Sequence, residues 1–311
     1  MCREDSLSSP VPTTHLEKKR KKVKFRDILS PVMKKSIIQQ ILPKKSTEYS
    51  SYFRSKDTYD SNYYDSNFSL QYHRRATKDF MEFQRGITLI ERESTIKWIF
   101  KVGHKLSLSC EHIMAGVCLF ERCLGKKHYK WRDARRAAIV CLILSSKVDE
   151  LREKSENNIY TLYISQADTP GFTTEELIQE EADVFALLDF ELVQPNCATF
   201  IIIFLKELGN LDKDVYLLCC YITELFIADY NSHKYLFSTI AETIVKIALK
   251  SMDVECKNDD FLDLFKSICS DSISCLHDIK KCILTRNLSD TYYCQQYSDV
   301  QHITINFSIE L

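Results

Sequence analysis

Residues 132 to 150 read RDARRAAIVCLILSSKVDE, and eight in succession, Ala137 to Leu144, carry no polar side chain. A surface helix sets an apolar stripe against a polar face, so a helix without a polar face for two turns has to be enclosed by other helices. Ala137, Ala138 and Ser145 are small enough for neighbours to come near the short end of the roughly 8 to 10 Å interaxial range. Four helices around a fifth is the simplest arrangement that meets this demand. The stretch closes on SSKVDE, which puts Lys147, Asp149 and Glu150 where the buried helix comes out.

The rest of the chain supports an all-helical class. Six glycines and six prolines in 311 residues are too few for the tight turns of a β-rich fold. Helical periodicity predicts one series over 72–86, 91–108, 111–124, 131–149, 156–165 and 173–189, the last opened by Pro170-Gly171 and a Thr173/Glu176 capping box. Pro195 stops it, and a second series follows over 197–209, 213–229, 236–251, 258–269 and 271–285. Its third helix, STIAETIVKIALKSM, again combines small residues with a wide apolar surface. Central helices of this kind at matching places suggest an internal duplication.

Residues 1–70 differ in composition. The first fifty hold twelve Lys/Arg against five Asp/Glu, and Lys18, Lys19, Arg20, Lys21, Lys22 and Lys24 form one cluster. A Ser-, Tyr- and Asp-rich run follows, and neither half has a sustained apolar period, so both are expected to be a disordered tail. Ser9 and Ser30 each precede a proline within it. The domains expected are a tail over 1–70, a first box with its preceding helix over 71–194, a second box over 195–285 and a C-terminal tail over 286–311.

Several functional classes recede. The net charge of -1 gives no global reason to expect nucleic acid, and the bases of the helical part are interleaved with acids. The thirteen cysteines never form CxxC, which reads as reduced core thiols of a cytosolic or nuclear protein. With no apolar leader and no eighteen-residue apolar run, no membrane partner is expected, and the sequons at Asn67, Asn287 and Asn306 read as chance. No phosphate-cradling glycine loop and no HExxH can be written, and His104, His112 and His128 have no partners at ligand spacing. The expectation is a protein without catalytic residues, cofactor or metal.

The constellation resembles the cyclin box. The residues that carry it are SSKVDE at the end of the buried helix, QEEADVFALLDFEL one helix later, the stop at Pro195, and TELFIADYNSHKYLFSTIAETIVKIAL in the second half, similar to the C-terminal box of A/B-type cyclins. The resemblance covers about 72–285 and implies two tandem five-helix boxes. It implies that Lys147 and Glu181 grip the regulatory helix of a cyclin-dependent kinase. A lysine at a helix end can donate to backbone carbonyls, and a glutamate can accept from the amides at a helix start. Taken alone, Lys147 would merely complement its own helix terminus. The resemblance also implies an ion pair between Arg92 and Glu121, the latter in LFERCL, that braces the box.

One stretch departs from the family. ERESTIKW keeps Arg92 and Trp98 but puts Glu91, Ser94 and Thr95 where an apolar substrate-docking patch would lie, so docking of Arg-x-Leu substrates there is not expected. In the tail, Arg26 and Leu29 match the minimal form of a destruction box, and the basic cluster reads as a nuclear-import signal, which implies import and ubiquitin-ligase partners. The function implied is a regulatory subunit that activates a serine/threonine kinase in cell-cycle control, located in nucleus and cytoplasm. The alternative is a transcription-type cyclin or a TFIIB-like tandem-box protein, since that fold is shared.

Overall fold

The structure, a computed structural model, describes residues 61–77, 79–148, 156–167, 171–209, 212–254, 271–285, 296–300 and 303–307. Among these residues there are eleven α-helices, one 3-10 turn and no strand. The helices are α1 Ser61–His73, α2 Phe80–Phe83, α3 Leu89–Lys105, α4 Cys110–Lys126, α5 Trp131–Val148, α6 Glu156–Gln166, α7 Thr174–Leu187, α8 Cys197–Glu207, α9 Lys213–Ala228, α10 Phe237–Ser251 and α11 Ser272–Thr285. The 3-10 turn, Tyr230–Lys234, lies between α9 and α10. None of these helices is long and apolar enough to cross a membrane.

The enclosed helix is α5. Every residue from Ala137 to Ser145 is buried, and α3, α4, α6 and α7 all pack on it. Gly116 lets α4 cross α5 closely, because a Cβ there would stand 3.1 Å from the Leu142 backbone on α5. Capping fixes where the surrounding helices begin. Thr88 and Glu91 close a capping box on α3, and Thr173 and Glu176 close the predicted one on α7. In the second box α10 takes the central place, buried from Phe237 to Val245 and packed by α8, α9 and α11. The helix expected over 258–269 lies outside the described residues, as do Asp149, Glu150, Pro170 and the whole of 1–60. The nine described cysteines are all free and buried.

Two expectations need correction. The single helix expected over 72–86 is two helices, α1 and α2, separated at 74–79. Arg74 and Arg75 leave the helix there to donate to the carbonyls of Val193 and His233, each at 2.5 Å. Helix α1 begins at Ser61, inside the stretch assigned to the tail, and it packs on the second box. Phe68 meets Phe200, and the Gln71 amide exchanges two hydrogen bonds of 3.1 Å with Ser238. The described part of 286–311 is likewise packed. Tyr297 and Val300 are buried, Tyr297 against Tyr221 of α9 and His104 of α3, and the Asn306 amide donates to Ser251 at 2.8 Å.

Candidate functional site

Lys147 occupies the last turn of α5, and Glu181 the middle of α7. The two residues meet: Lys147 Nζ donates to Glu181 Oε1 at 2.8 Å and to Oε2 at 2.9 Å. Tyr160 of α6, which the sequence reading missed, completes the group by accepting from Lys147 at 2.8 Å and donating to Glu181. Its neighbour Tyr163, one turn on, donates to Ser146 at 2.8 Å, so α6 is tied twice to the end of α5. A Tyr-x-x-Tyr spacing on one helix face was the signal available in the sequence. Three helices therefore hold the pair, whose side chains stay 16% and 12% exposed.

The chemistry of this trio is lopsided. An ammonium has three donors, and all three are taken, two by Glu181 and one by Tyr160. A carboxylate offers about four acceptor sites, and Glu181 uses three of them here, so it keeps capacity for an incoming N–H. A partner's backbone amide can join Glu181 directly, whereas a partner's carbonyl has to displace one of the donor bonds of Lys147.

Apolar groups lie beside it on α7. Ile178 is 48% exposed, and Phe185, one turn beyond Glu181, meets Phe190 with ring centroids 5.9 Å apart. Phe190 is 59% exposed, and both it and Asp189 have positive φ, at 61° and 54°. Two successive non-glycine residues in that region are costly and persist only where their surroundings fix them. Lys126 bonds Asp189 at 2.7 Å, and buried Arg122 donates to the Glu191 carbonyl at 2.7 Å and to Gln194 at 3.2 Å. The corner thus presents a large aromatic to solvent. Its sequence, FALLDFEL, gives no sign of it, because helical phase simply runs out there.

Arg92 and Glu121 also pair, but in a different setting. Arg92 is fully buried and joins Glu121 through Nη2, while its Nη1 donates to the Ala228 carbonyl at 2.9 Å. His233, from the 3-10 turn, places Nε2 3.0 Å from Arg92 and 2.8 Å from Glu121. Expected as a brace within one box, the pair therefore links the two boxes. Burial pushes the Glu121 carboxyl up, but His233 and Arg92 outweigh it and hold the group at about 2. Burial also pushes the His233 imidazole below its ordinary value, against the pull of Glu121. A second link between the boxes is His104 with buried Glu224, at 2.5 Å.

The remaining sequence candidates are not brought together as one exposed patch. Thr95 is buried with its hydroxyl on the Glu91 carbonyl, Glu91 folds back on Thr88, Ser94 is exposed, and Trp98 donates to the Ala167 carbonyl at 2.9 Å. Arg26, Leu29 and the cluster Lys18, Lys19, Arg20, Lys21, Lys22 and Lys24 lie outside the described residues. His112 is held by Ser109, and His128 stacks on Phe83. No group of metal-ligating residues occurs among the described residues.

Comparisons with known proteins agree with this architecture. Residues 62–193 match the family model described as cyclin, N-terminal domain, and 195–308 match that of the cyclin C-terminal domain. Among curated proteins the chain is similar to Cyclin-A3-1 of Oryza sativa subsp. japonica, 23% identical over 71% of this chain and 61% of that protein. It is also similar to putative cyclin-A3-1 of Arabidopsis thaliana, 26% identical over 58% of this chain and 50% of that one. The chain thus spans about half to six-tenths of the length of these relatives. Among solved structures, a viral cyclin from herpesvirus saimiri superposes with a TM-score of 0.62 at 15% identity, over 71% of this chain and 96% of that one.

Proposed function

The chain belongs to the cyclin family, and from that premise we propose that it is a regulatory subunit that binds and activates a cyclin-dependent serine/threonine kinase in cell-cycle control. The observation that carries this reading is the Lys147–Glu181–Tyr160 trio, held by three helix segments and flanked on α7 by exposed Ile178 and the Phe190 corner. Rigid apolar groups around a half-buried polar pair suit an amphipathic partner helix with a polar end. Activation then works by population shift: the chain binds the kinase's active helix position better than the inactive one, so the kinase's own Lys-Glu pair and Mg²⁺ site assemble.

Changing Lys147 and Glu181 together to Ala is expected to abolish stimulation of the kinase while leaving helicity by circular dichroism intact. Undiminished stimulation would overturn the assignment. For the tail, we infer that Lys18 to Lys24 direct nuclear import and that Arg26 and Leu29 recruit a ubiquitin ligase, which gives a protein of nucleus and cytoplasm. A chain lacking 1–60 should lose nuclear accumulation and persist through mitotic exit. An unchanged distribution and half-life would remove both inferences. The transcription alternative is separated by a gel shift with random duplex DNA against pull-down of a cyclin-dependent kinase.

A further inference from the structure

The chain has two tryptophans, Trp98 on α3 and Trp131 at the start of α5, and both stack on one guanidinium. The Arg135 carbon lies 4.9 Å from the Trp98 ring centroid and 4.8 Å from that of Trp131. All three side chains are half-buried. Trp131 is one turn before Arg135 on α5, and Trp98 is fixed from its far side by the Ala167 carbonyl at 2.9 Å.

A guanidinium packed against two indole rings still has N–H donors that point outward in its own plane. None of those donors has an acceptor among the described residues, and Nε is buried without one. Burial pushes the group down, and no carboxylate pulls it back. The acids on the two helices are engaged elsewhere: Glu91 with Thr88, Glu93 with Lys97 at 2.9 Å, and Asp133 with Arg136 at 3.1 Å. The surroundings are basic. Lys101, Lys130 and Arg132 are exposed, Arg132 donating to the Gly171 carbonyl at 2.8 Å, and Lys105 donates to the Gln166 carbonyl at 3.4 Å.

We propose that Arg135, packed against Trp98 and Trp131, is a docking site for an Asp or Glu side chain in an acidic segment of a protein partner. The planar carboxylate matches the planar fork, which can give it two parallel N–H···O bonds, and the neighbouring rings shield those bonds from water. The surrounding lysines and arginine favour a run of acids over a single one. This site is formed by α3 and the first turn of α5, away from the Lys147 end of that helix, and does not rest on the kinase reading.

The test uses the immobilised full-length chain and three dodecapeptide libraries, random apart from a fixed central glutamate, glutamine or phosphoserine. The glutamate library should be retained about tenfold or more over the glutamine one, the effect of one charge-assisted bidentate pair. It should also alter the tryptophan emission, because both tryptophans of the chain flank the site. R135Q, checked for folding by its thermal melt, should lose the preference, and R135K, which keeps the charge without the fork, should lose most of it. Equal retention of glutamate and glutamine libraries by the unmutated chain overturns the proposal whatever the variants do. So does an unchanged preference in R135Q, and so does tighter retention of phosphoserine, which would make the site a phosphate reader.

Discussion

Two ion pairs of the first box, Arg92–Glu121 and Lys147–Glu181, are of the same chemical kind and differ in almost everything else. Arg92–Glu121 is sealed from solvent, carries His233 and two backbone carbonyls of α9, and links one box to the other. Lys147–Glu181 sits on the ends and faces of three helices, with side chains 16% and 12% exposed. Removing two charges from water is costly, and His233 and the two carbonyls offset that cost even though Arg92 Nε stays buried without an acceptor. Sealed as it is, the pair is out of a ligand's reach. A pair at the rim keeps acceptor capacity on Glu181. Burial, more than residue type, separates a structural pair from one that can bind.

The largest expected effect comes from breaking the sealed pair. Glu121→Ala leaves the Arg92 charge buried without its counter-ion and should cost about 3 to 5 kcal/mol in chemical denaturation. A loss near zero would mean that water reaches this pair and the contrast fails. Next is the support beneath the rim pair. Leu144 is fully buried on α5 one turn before Lys147, so Leu144→Ala should cost about 2 to 5 kcal/mol, and kinase affinity should fall even where the variant stays folded. Calorimetry showing a loss below about 1 kcal/mol would reveal an exposed face on α5.

Acid should sharpen the contrast further. The Glu121 carboxyl lies near 2 in the fold against 4.5 unfolded, so its contribution is complete above 4.5 and is lost as pH falls toward 2. The His233 imidazole lies below 6.5 in the fold, so unfolding takes up a proton there and stability also declines as pH falls below 6.5. His233→Leu should flatten the upper window and also shrink the lower one, because His233 is one of the two groups that hold the Glu121 carboxyl down. A stability profile unchanged between pH 7 and 5 by that substitution would contradict the role of His233. The smallest effect is Lys147→Ala, which should cost about 1 kcal/mol or less in thermal unfolding, because the pair is partly solvated.

Much of this was legible beforehand where cause and effect lie close in sequence. The enclosure of α5 followed from eight apolar residues in a row, and the start of α7 followed from Thr173 and Glu176 three positions apart. The meeting of Lys147 with Glu181 came through resemblance to a family, since nothing local places α5 beside α7. What escaped depends on distant partners. Helix α1 lies in a Ser-, Tyr- and Asp-rich stretch with little amphipathic signal, and its contacts include the distant Phe200 and Ser238. The break at 74–79 follows two arginines to carbonyls on other elements. His233 looked like an ordinary loop residue until the fold brought it against Glu121 across the boxes.

The central claim is that the rim pair is there for a partner and not for the fold, and a charge swap tests it most directly. Lys147→Glu with Glu181→Lys keeps an ion pair between α5 and α7 but reverses the polarity shown to an incoming helix. Measured in one preparation, thermal unfolding should stay within about 1 kcal/mol of the unmutated chain, while stimulation of the cyclin-dependent kinase should be lost. Full stimulation by the swapped protein would contradict the account, since the pair would then be holding helices together and nothing more.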